Sequence, residues 1–387
     1  MWISREIIDL LTQTAAARPV VVLTGSRQVG KSALLAHAFP KHHVVSLDLP
    51  SEAHDAEHSP DAFLARHPVP LIVDEVQYAP MLLRHLKRHV DSHRTRNGQI
   101  LLTGSQRFVL MQHVAESLAG RAAILELDPL SFAEIASVAP KATLAKRILR
   151  GGYPELWAAP TLDARGYHAS YVATYLERDL RSMLRVGNLR DFERFLRAAA
   201  LRSGQLLNKS ELARDVGIAG STAGEWLSLL EASGIVALLE PWFRNAGKRM
   251  AKSPKLYFRD TGLLCFLLNI RDEVDLASSP LRGHVFETAV YAELRKRLAR
   301  TEEVGALFFY RDQTMEVDFL VHRGGRFALI ESKWSEDPGD GDYAAMRRLA
   351  TQLGQASVTS QTLICRAPGP SHHGDVLVTS LDAWPGP

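Results

Sequence analysis

Short apolar runs separated by amphipathic stretches dominate the first third of the chain. Five runs rich in Val, Ile and Leu lie between residues 19 and 131, in PVVVLTG, HVVSLDL, PLIVDEV, QILLTGS and AAILELD. Such runs are typical of strands buried on both faces of a parallel sheet. Helical stretches separate them, for example at 31–39 and 80–93. The alternation predicts βαβ units, and therefore an α/β domain with a parallel sheet.

The pattern becomes helical in the middle of the chain. Heptad-like apolar spacing runs through HASYVATYLERDLRSML and DFERFLRAAALRSG. The segment from 208 to 260 predicts a helix, a tight turn at Gly217, a second helix and two strands around a basic loop. This order is typical of a winged helix-turn-helix.

A third pattern begins near residue 281. A helix is predicted at 283–298, followed by strands in ALFFYR, MEVDFLV and FALIESK, with a hairpin turn at 323–325. A helix near 343–353 and strands in QTLIC and DVLVTSL follow. We therefore predict three domains, at 1–135, 136–280 and 281–387. The candidate linkers are 151–154, 278–283 and 367–374.

Composition narrows the class of protein. Of the 387 residues, 46% are hydrophobic and 23% are charged, which argues against a disordered chain. No apolar run approaches the roughly 18 residues that span a bilayer, and the N-terminus does not have a signal-peptide layout. With Cys265 and Cys365 as the only cysteines, a disulfide framework is excluded and a reducing cytoplasm fits best. The net charge of +3 does not by itself indicate nucleic acid.

The segment GSRQVGKS follows the first predicted strand and opens a helix. It fits the phosphate-loop pattern, in which glycines let backbone N–H groups surround phosphate oxygens and a lysine contacts the β- and γ-phosphates. Its hydroxyl residue can ligate Mg²⁺. The predicted ATP-binding residues are Gly25, Ser26, Arg27, Gln28, Val29, Gly30, Lys31 and Ser32.

Two acidic residues end the strand in LIVDEVQ. Asp74 is expected to hold Mg²⁺, and Glu75 to orient and deprotonate the attacking water. This pair favours hydrolysis over binding alone, although a solvent-facing pair at a strand end is the simpler alternative. Thr103 or Ser105, at the end of LLTGS, can sense the γ-phosphate or hold the water. Arg121 is either an arginine finger, in cis or from a neighbouring subunit, or a surface arginine.

These segments, taken with SLAGR, GGYPE at 151–155, EVDFLV and IESK, occur in an order that resembles a large family of bacterial and archaeal AAA+-superfamily ATPases. The family carries a C-terminal domain of unknown function. The resemblance covers nearly the whole chain. It implies ATP hydrolysis, self-association and a nuclease-like C-terminal domain.

Carboxylates and a lysine form a second candidate site near the C-terminus. Glu331 and Lys333 lie two apart on one strand and share a face, and Asp318 on the preceding strand can meet them. Two carboxylates can hold Mg²⁺ while a lysine activates water for phosphodiester cleavage. Glu287 can complete the metal shell. The segment resembles the PD-(D/E)xK nucleases, and the alternative is an ion pair without catalytic function.

A DNA-binding surface is predicted on the helix-turn-helix. The second helix would read bases with Ser221 and Thr222. The cations of the basic loop, which suit phosphate contact, are Arg244, Lys248, Arg249, Lys252 and Lys255. The alternative is a lid or a protein contact. His85, His89 and His93 recur every four residues, and we interpret them as a solvated helix face.

Taken together, the sequence predicts an ATP-hydrolysing enzyme that acts on DNA, with branched DNA as one candidate substrate. The rival interpretation is an ATP-dependent switch that controls a protein partner and uses an inactive nuclease-like docking domain. A third is a sequence-specific regulator. A homo-oligomer without membrane association is expected in each case.

Overall fold

A computed structural model of the protein describes residues 1–93, 96–104, 114, 116–175, 189–243, 253–301 and 306–387. It divides into two compact units. The first unit contains residues 1–130 with two short pieces, 153–155 and 232–235. The second contains residues 131–152, 156–231 and 236–387, so the middle and C-terminal regions form one unit by contact. Among the described helices, none combines the length and the apolar character needed to cross a bilayer.

The first unit is built on a five-stranded sheet in the order β2-β3-β4-β1-β5, in which all pairs are parallel. Its elements are α1 (Ile8–Ala17), β1 (Val20–Thr24), α2 (Lys31–Ala38), β2 (His43–Ser46), α3 (Pro50–His58), α4 (Pro60–Arg66), β3 (Leu71–Asp74), α5 (Pro80–Ser92), β4 (Ile100–Gly104) and β5 (Ala122–Glu126). The parallel α/β domain is therefore confirmed. Its five strands coincide with the five apolar runs, because only uniformly apolar segments can fill a sheet covered on both faces.

The second unit starts with a well-capped helix. Ser131 accepts a hydrogen bond from the Glu134 N–H, and the Glu134 carboxylate accepts one from the Ser131 N–H. The elements up to residue 267 are α6 (Phe132–Val138), α7 (Leu144–Arg150), α8 (Pro154–Ala158), α9 (Ala164–Tyr175), α10 (Leu189–Ala200), β6 (Gln205–Leu206), α11 (Lys209–Val216), α12 (Gly220–Ala232), β7 (Val236–Leu239), β8 (Lys255–Phe258) and α13 (Thr261–Leu267).

Helices α11 and α12 are joined by a turn in which Gly217 has a φ of 81°, a left-handed conformation that ends α11. Strand β6, which precedes these helices, and strands β7 and β8, which follow them, form a small antiparallel sheet in the order β6-β8-β7. Trp226 of α12 packs edge-on against Phe192 and Phe195 of α10. These contacts bury the apolar face of α12.

Residues 151–154 were predicted as a linker. The first two of them, Gly151 and Gly152, instead pack tightly against Asp260 within the second unit. A side chain on Gly151 would lie 2.4 Å from the Asp260 carboxylate, and one on Gly262 would lie 2.5 Å from the Arg150 carbonyl oxygen. The same Asp260 accepts a hydrogen bond from the Gly152 N–H at 2.6 Å and caps α13 through Leu263. Close packing therefore requires glycine at both 151 and 262.

The C-terminal region is a six-stranded mixed sheet in the order β13-β14-β12-β11-β10-β9. Its elements are α14 (Glu273–Ser278), α15 (Arg282–Ala299), β9 (Leu307–Arg311), β10 (Glu316–Arg323), β11 (Arg326–Ser332), α16 (Ala344–Leu353), β12 (Val358–Cys365), β13 (Ser371–His373) and β14 (Val376–Ser380). Gly324 and Gly325 form the predicted hairpin turn. The stretch predicted as a linker at 367–374 contains β13, which pairs with β14 through a turn at Gly374.

Candidate functional site

The phosphate loop occupies the residues between β1 and α2. Its backbone has a φ of 145° at Gly25, 62° at Gln28 and 89° at Gly30. A side chain on Gly25 would lie only 2.2 Å from the Leu127 carbonyl oxygen, so no other residue fits there. Repeated positive φ values curl the chain, which is how such a loop turns its N–H groups toward one anion. The eight-residue helix that follows adds its dipole.

Lys31 folds back over this loop. Its ammonium donates to the carbonyl oxygens of Gly25 at 3.0 Å and Ser26 at 2.9 Å, and the residue is only 6% exposed. The charge is therefore held over the loop by its own backbone.

Arg5, which the sequence pattern did not single out, braces the same loop. The buried guanidinium donates to the carbonyl oxygens of Val29 at 2.8 Å and Asp128 at 2.6 Å. It thereby ties the loop to the segment after β5. A lone arginine in an N-terminal segment matches no motif, so no sequence signal identified it.

Asp74 is the point at which three elements of the first unit meet. The Ser32 hydroxyl donates to Asp74 Oδ1 at 2.5 Å, and the Thr103 hydroxyl donates to the same oxygen. Ser32 comes from α2, Asp74 from the end of β3 and Thr103 from β4. Hydroxyl and carboxylate oxygens are the ligands that Mg²⁺ prefers. This donor set fits the predicted Mg²⁺, with Ser32 and Asp74 as its ligands.

Glu75 lies beside this cluster in an unusual conformation. Its φ of 57° is left-handed, which is uncommon for a residue other than glycine and often marks a functional site. Its N–H donates to the Thr103 hydroxyl at 3.2 Å, and the Gln77 amide donates to its carboxylate. Gln77 is a second residue that the sequence interpretation missed. The arrangement holds a buried carboxylate one residue from Asp74, the predicted metal ligand, where it can accept a proton from water.

A nucleotide in this site would meet these residues in fixed roles. The loop amides and Lys31 would bind its phosphates, and Ser32 and Asp74 would hold its Mg²⁺. Bound Mg²⁺ neutralises negative charge on the phosphate oxygens. The protein itself contributes the position of the lysine charge and the carboxylate of Glu75.

The C-terminal carboxylates also meet. Asp318 on β10 lies across from Glu331 on β11 in the continuation of the strand register, and its N–H donates to Glu331 at 3.3 Å. Lys333 donates to the other oxygen of Glu331 at 2.8 Å. Both Ser332 hydrogen-bond donors, the N–H at 3.0 Å and the hydroxyl at 2.7 Å, contact Asp318. The sequence therefore predicted the proximity of Asp318, Glu331 and Lys333.

Burial changes the acidity of this group. Burial, reinforced by the negative charge of Asp318, raises the pKa of Glu331 to about 8 and the pKa of Glu287 to about 7. Glu287 lies on α15. The Lys255 ammonium lies 2.8 Å from the Glu287 carboxylate and 3.7 Å from the Asp318 carboxylate, and so bridges the two. Within the described part of the chain, no three His, Cys, Asp or Glu side chains are arranged to hold a metal ion. The predicted metal shell of Glu287, Asp318 and Glu331 thus contains a lysine instead of open ligand positions.

Three family models match successive segments of the chain. Residues 17–136 match the family described as AAA domain, and residues 141–274 and 282–384 match two domains of unknown function, DUF8612 and DUF4143. The Uncharacterized protein Rv2008c of Mycobacterium tuberculosis is 34% identical over 345 residues, which cover 86% of this chain and 74% of that protein. The Uncharacterized protein Mb2031c of Mycobacterium bovis matches with the same figures. The chain belongs to this family of AAA-domain proteins.

Solved structures that resemble this AAA-domain protein are distant. A STAND ATPase with a tetratricopeptide repeat sensor from Pyrococcus horikoshii is 12% identical with a TM-score of 0.28, and it covers 79% of this chain and 48% of its own. The Saccharomyces cerevisiae Hsp104–ADP complex is 14% identical with a TM-score of 0.29, over 78% and 44%. This chain spans less than half of each, and scores this low carry no conclusion.

Arg121 of the AAA domain lies away from the phosphate loop. Its guanidinium makes a two-point ion pair with Asp91, at 2.7 and 2.9 Å. It precedes β5 next to Val20, whereas the loop follows Thr24 at the other end of β1. Five strand residues separate these two edges by about 16 Å. This position does not support the cis role, and the role from a neighbouring subunit stays a prediction.

The predicted DNA-binding residues fall into three groups. Ser221 is exposed and Thr222 is half-buried in the first turn of α12. Lys255 does not lie on an exposed loop but on β8, where it is 2% exposed and paired with carboxylates, so it is not placed to contact phosphates. Arg244, Lys248, Arg249 and Lys252 lie outside the described residues, as does Ser105 of the predicted nucleotide site.

The glycine at the start of the phosphate loop provides a stability test. We expect Gly25→Ala to lower the free energy of unfolding of the AAA domain by about 3 kcal/mol, since it adds a backbone clash to an unfavourable φ. Gly120→Ala is the control. Gly120 also has a positive φ, of 75°, but nothing lies within 4 Å of the added carbon. Its cost should stay near 1 kcal/mol. Equal losses in denaturant titrations of the two variants would contradict the clash.

Proposed function

We propose that this AAA-domain protein hydrolyses ATP and acts on DNA, and that its C-terminal region is a nuclease-like domain that binds or cleaves DNA. The observation that carries the proposal is the convergence of Ser32 and Thr103 on Asp74, with Glu75 directly beside them. A site for nucleotide binding alone needs the loop and its lysine. The added carboxylate supplies the general base that hydrolysis needs.

Lys31 and Glu75 would have different roles in hydrolysis. Lys31 would stabilise charge on the transferred phosphoryl group, and Glu75 would take a proton from the attacking water. Thr103 contacts both Asp74 and the backbone of Glu75, so it links the metal-binding carboxylate to the base. A change from ATP to ADP that shifts Asp74 would therefore also shift Glu75, the proposed base, through Thr103.

The DNA part of the proposal rests on the first turn of α12. Gly220 and Ser221 in this turn and Glu225 in the next are exposed, whereas Trp226 and Leu230 are buried on the opposite face of the helix. Small polar side chains at a helix N-terminus can approach a phosphate or a base edge closely. The loop between β7 and β8 carries the cations that would contact the backbone of the same DNA.

A second function has one observation in its favour. In a nucleotide switch that controls a protein partner, the nuclease-like domain would serve as an inactive docking surface. The ammonium of Lys255 lies among the predicted metal ligands, where it would occupy the position of a catalytic metal ion. This position favours the alternative in which the domain does not cleave DNA. In both versions, self-association would let one subunit supply Arg121 to another.

The experiment that separates these functions measures ATP turnover with Mg²⁺ in the presence of single-stranded, duplex or four-way-junction DNA. We expect one DNA form to raise turnover several-fold, and the stimulation to fall steeply as salt rises, because phosphate contacts release counterions. Ser221→Glu should remove most of the stimulation without changing basal turnover. Ser228→Glu, exposed on the same helix two turns later, is the matched control.

Cleavage is followed on the same DNA by gel. If any DNA is cut, Glu331→Ala should stop the cutting and leave ATP turnover nearly intact. If no DNA form changes the rate of ATP turnover and no DNA is cut, the DNA-directed function is refuted. The protein-directed switch then remains.

A further inference from the structure

Lys255 is a buried lysine surrounded by acidic side chains. Its ammonium lies 2.8 Å from Glu287, 2.6 Å from Glu316 and 3.7 Å from Asp318, and its side chain is 2% exposed. The residue begins β8, which pairs with β7 and β6 after the helix-turn-helix. A residue of the middle region thus reaches into carboxylates that belong to α15 and β10.

Such a position is costly without a partner of opposite charge. Lysine is almost never fully buried unless it is paired, and a buried unpaired charge costs several kcal/mol. Here the compensation is mutual. The three carboxylates stabilise the ammonium and raise the pKa of Lys255 above its ordinary value. In return, the ammonium allows Glu287 and Asp318 to lie close together, and the Tyr257 hydroxyl adds a hydrogen bond to Glu287 at 2.5 Å.

Two of these carboxylates are residues that the nuclease resemblance would assign to a metal ion. The oxygens of Glu287 and Glu316 lie at hydrogen-bond distances from the ammonium, and the oxygen of Asp318 lies farther away, at 3.7 Å. All three distances are longer than the roughly 2.0–2.1 Å that Mg²⁺ requires. The remaining predicted ligand, Glu331, is occupied by Lys333 and by the Asp318 N–H. The carboxylates are therefore spaced for a nitrogen cation, and a divalent ion would have to displace it.

We propose that Lys255 is the resident cation of this carboxylate cluster and takes the place of a divalent metal, so that the C-terminal domain holds no catalytic metal while β8 stays in its sheet. The inference rests on the nuclease-like part of the proposed function. It predicts that the wild-type protein does not cleave DNA through this cluster, whatever its ATPase activity. It also assigns β8 a second role, because the strand that completes the small sheet also neutralises the cluster.

The test is Mn²⁺ binding to the full-length, nucleotide-free protein, followed by electron paramagnetic resonance of free Mn²⁺. Wild type should show only weak background binding. Lys255→Met keeps the length of the side chain and removes its charge, and it should gain one Mn²⁺ bound at least tenfold more tightly than that background. Lys296→Met is the matched control, since Lys296 also pairs with a buried carboxylate, Glu293 at 2.9 Å, outside the cluster. It should behave as wild type.

Folding is measured in parallel, since Lys255→Met leaves three carboxylates facing one another. A second variant, Lys255→Met with Glu316→Gln, removes one negative charge and keeps Glu287 and Asp318. We expect Mn²⁺ to raise the melting temperature of both variants and not that of wild type. A variant that does not fold alone should fold when Mn²⁺ is added.

Three outcomes would overturn the inference. The first is tight Mn²⁺ binding by wild type that is lost in Asp318→Asn. The second is a folded Lys255→Met that binds no Mn²⁺. The third is an unfolded variant that Mn²⁺ does not restore. None of these readouts depends on DNA or on ATP turnover, so the ATPase and DNA-binding parts of the proposed function succeed or fail separately.

Discussion

Replacement of Lys31 by alanine is expected to abolish ATP turnover. The phosphate loop holds this ammonium against its own carbonyl oxygens, those of Ser26 and Gly25, at 2.9 and 3.0 Å. Loss of one preorganised electrostatic contact to a reacting group typically costs a hundredfold to a thousandfold in rate. Under the proposed function, Lys31 would also contact the phosphates in the ground state, so nucleotide affinity should fall as well. Phosphate release under saturating Mg²⁺ and ATP measures the rate, and a fluorescent ATP analogue measures binding.

The matched control is Lys41→Ala, an exposed lysine of the same unit that lies after α2. It should leave both the rate and the affinity unchanged. Normal turnover by Lys31→Ala, with the circular dichroism spectrum of wild type, would show that this loop is not the site of hydrolysis.

Glu75→Gln should separate binding from hydrolysis. The change keeps the shape of the side chain and can keep a hydrogen bond with Gln77, but it removes the carboxylate that we propose as the proton acceptor. General-base catalysis is worth about a hundredfold to ten-thousandfold. We therefore expect a loss of turnover in this range with nucleotide affinity within about threefold of wild type, since Lys31, Ser32 and Asp74 are untouched.

Glu6→Gln, an exposed carboxylate of the same unit, controls for the loss of one negative charge and should hydrolyse ATP normally. If Glu75→Gln retains wild-type turnover, another group positions the water. If affinity falls together with the rate, Glu75 supports the fold of the loop and is not the base. Single-turnover measurements distinguish these cases because they report the chemical step alone.

The sequence predicted those parts of the protein that depend on local pattern. The β1-to-α2 loop was visible because Gly25, Gly30, Lys31 and Ser32 occur at fixed spacing after an apolar run. Asp318 and Glu331 were predicted to meet because the hairpin turn at Gly324 fixes the register of two consecutive strands. In both cases, residues close in the chain determine the geometry.

The missed features depend on contacts between distant segments. Lys255 was assigned to a basic loop because four other cations precede it, yet Glu287 and Glu316 come from elements 32 and more residues further on. Arg5 contacts a carbonyl oxygen 123 residues away. The pairing of β13 with β14 was hidden because a three-residue edge strand among Pro, Gly and His residues has no apolar alternation to reveal it.

The packing of Gly151 and Gly152 against Asp260 determines how the protein can be dissected. The N–H of Gly152 and the carboxylate of Asp260 are 108 residues apart in sequence, and both glycines belong with the second unit although they come directly before the piece 153–155 of the first. Deletion of everything before residue 156 would remove the helices α6 and α7 from the fragment, together with the Gly152 N–H that donates to Asp260. A truncation that starts at Ser131 keeps the helix cap, both helices and the glycine contact. The practical boundary for expressing the C-terminal part alone is therefore the cap of α6. A fragment that starts there includes the whole GGYPE segment.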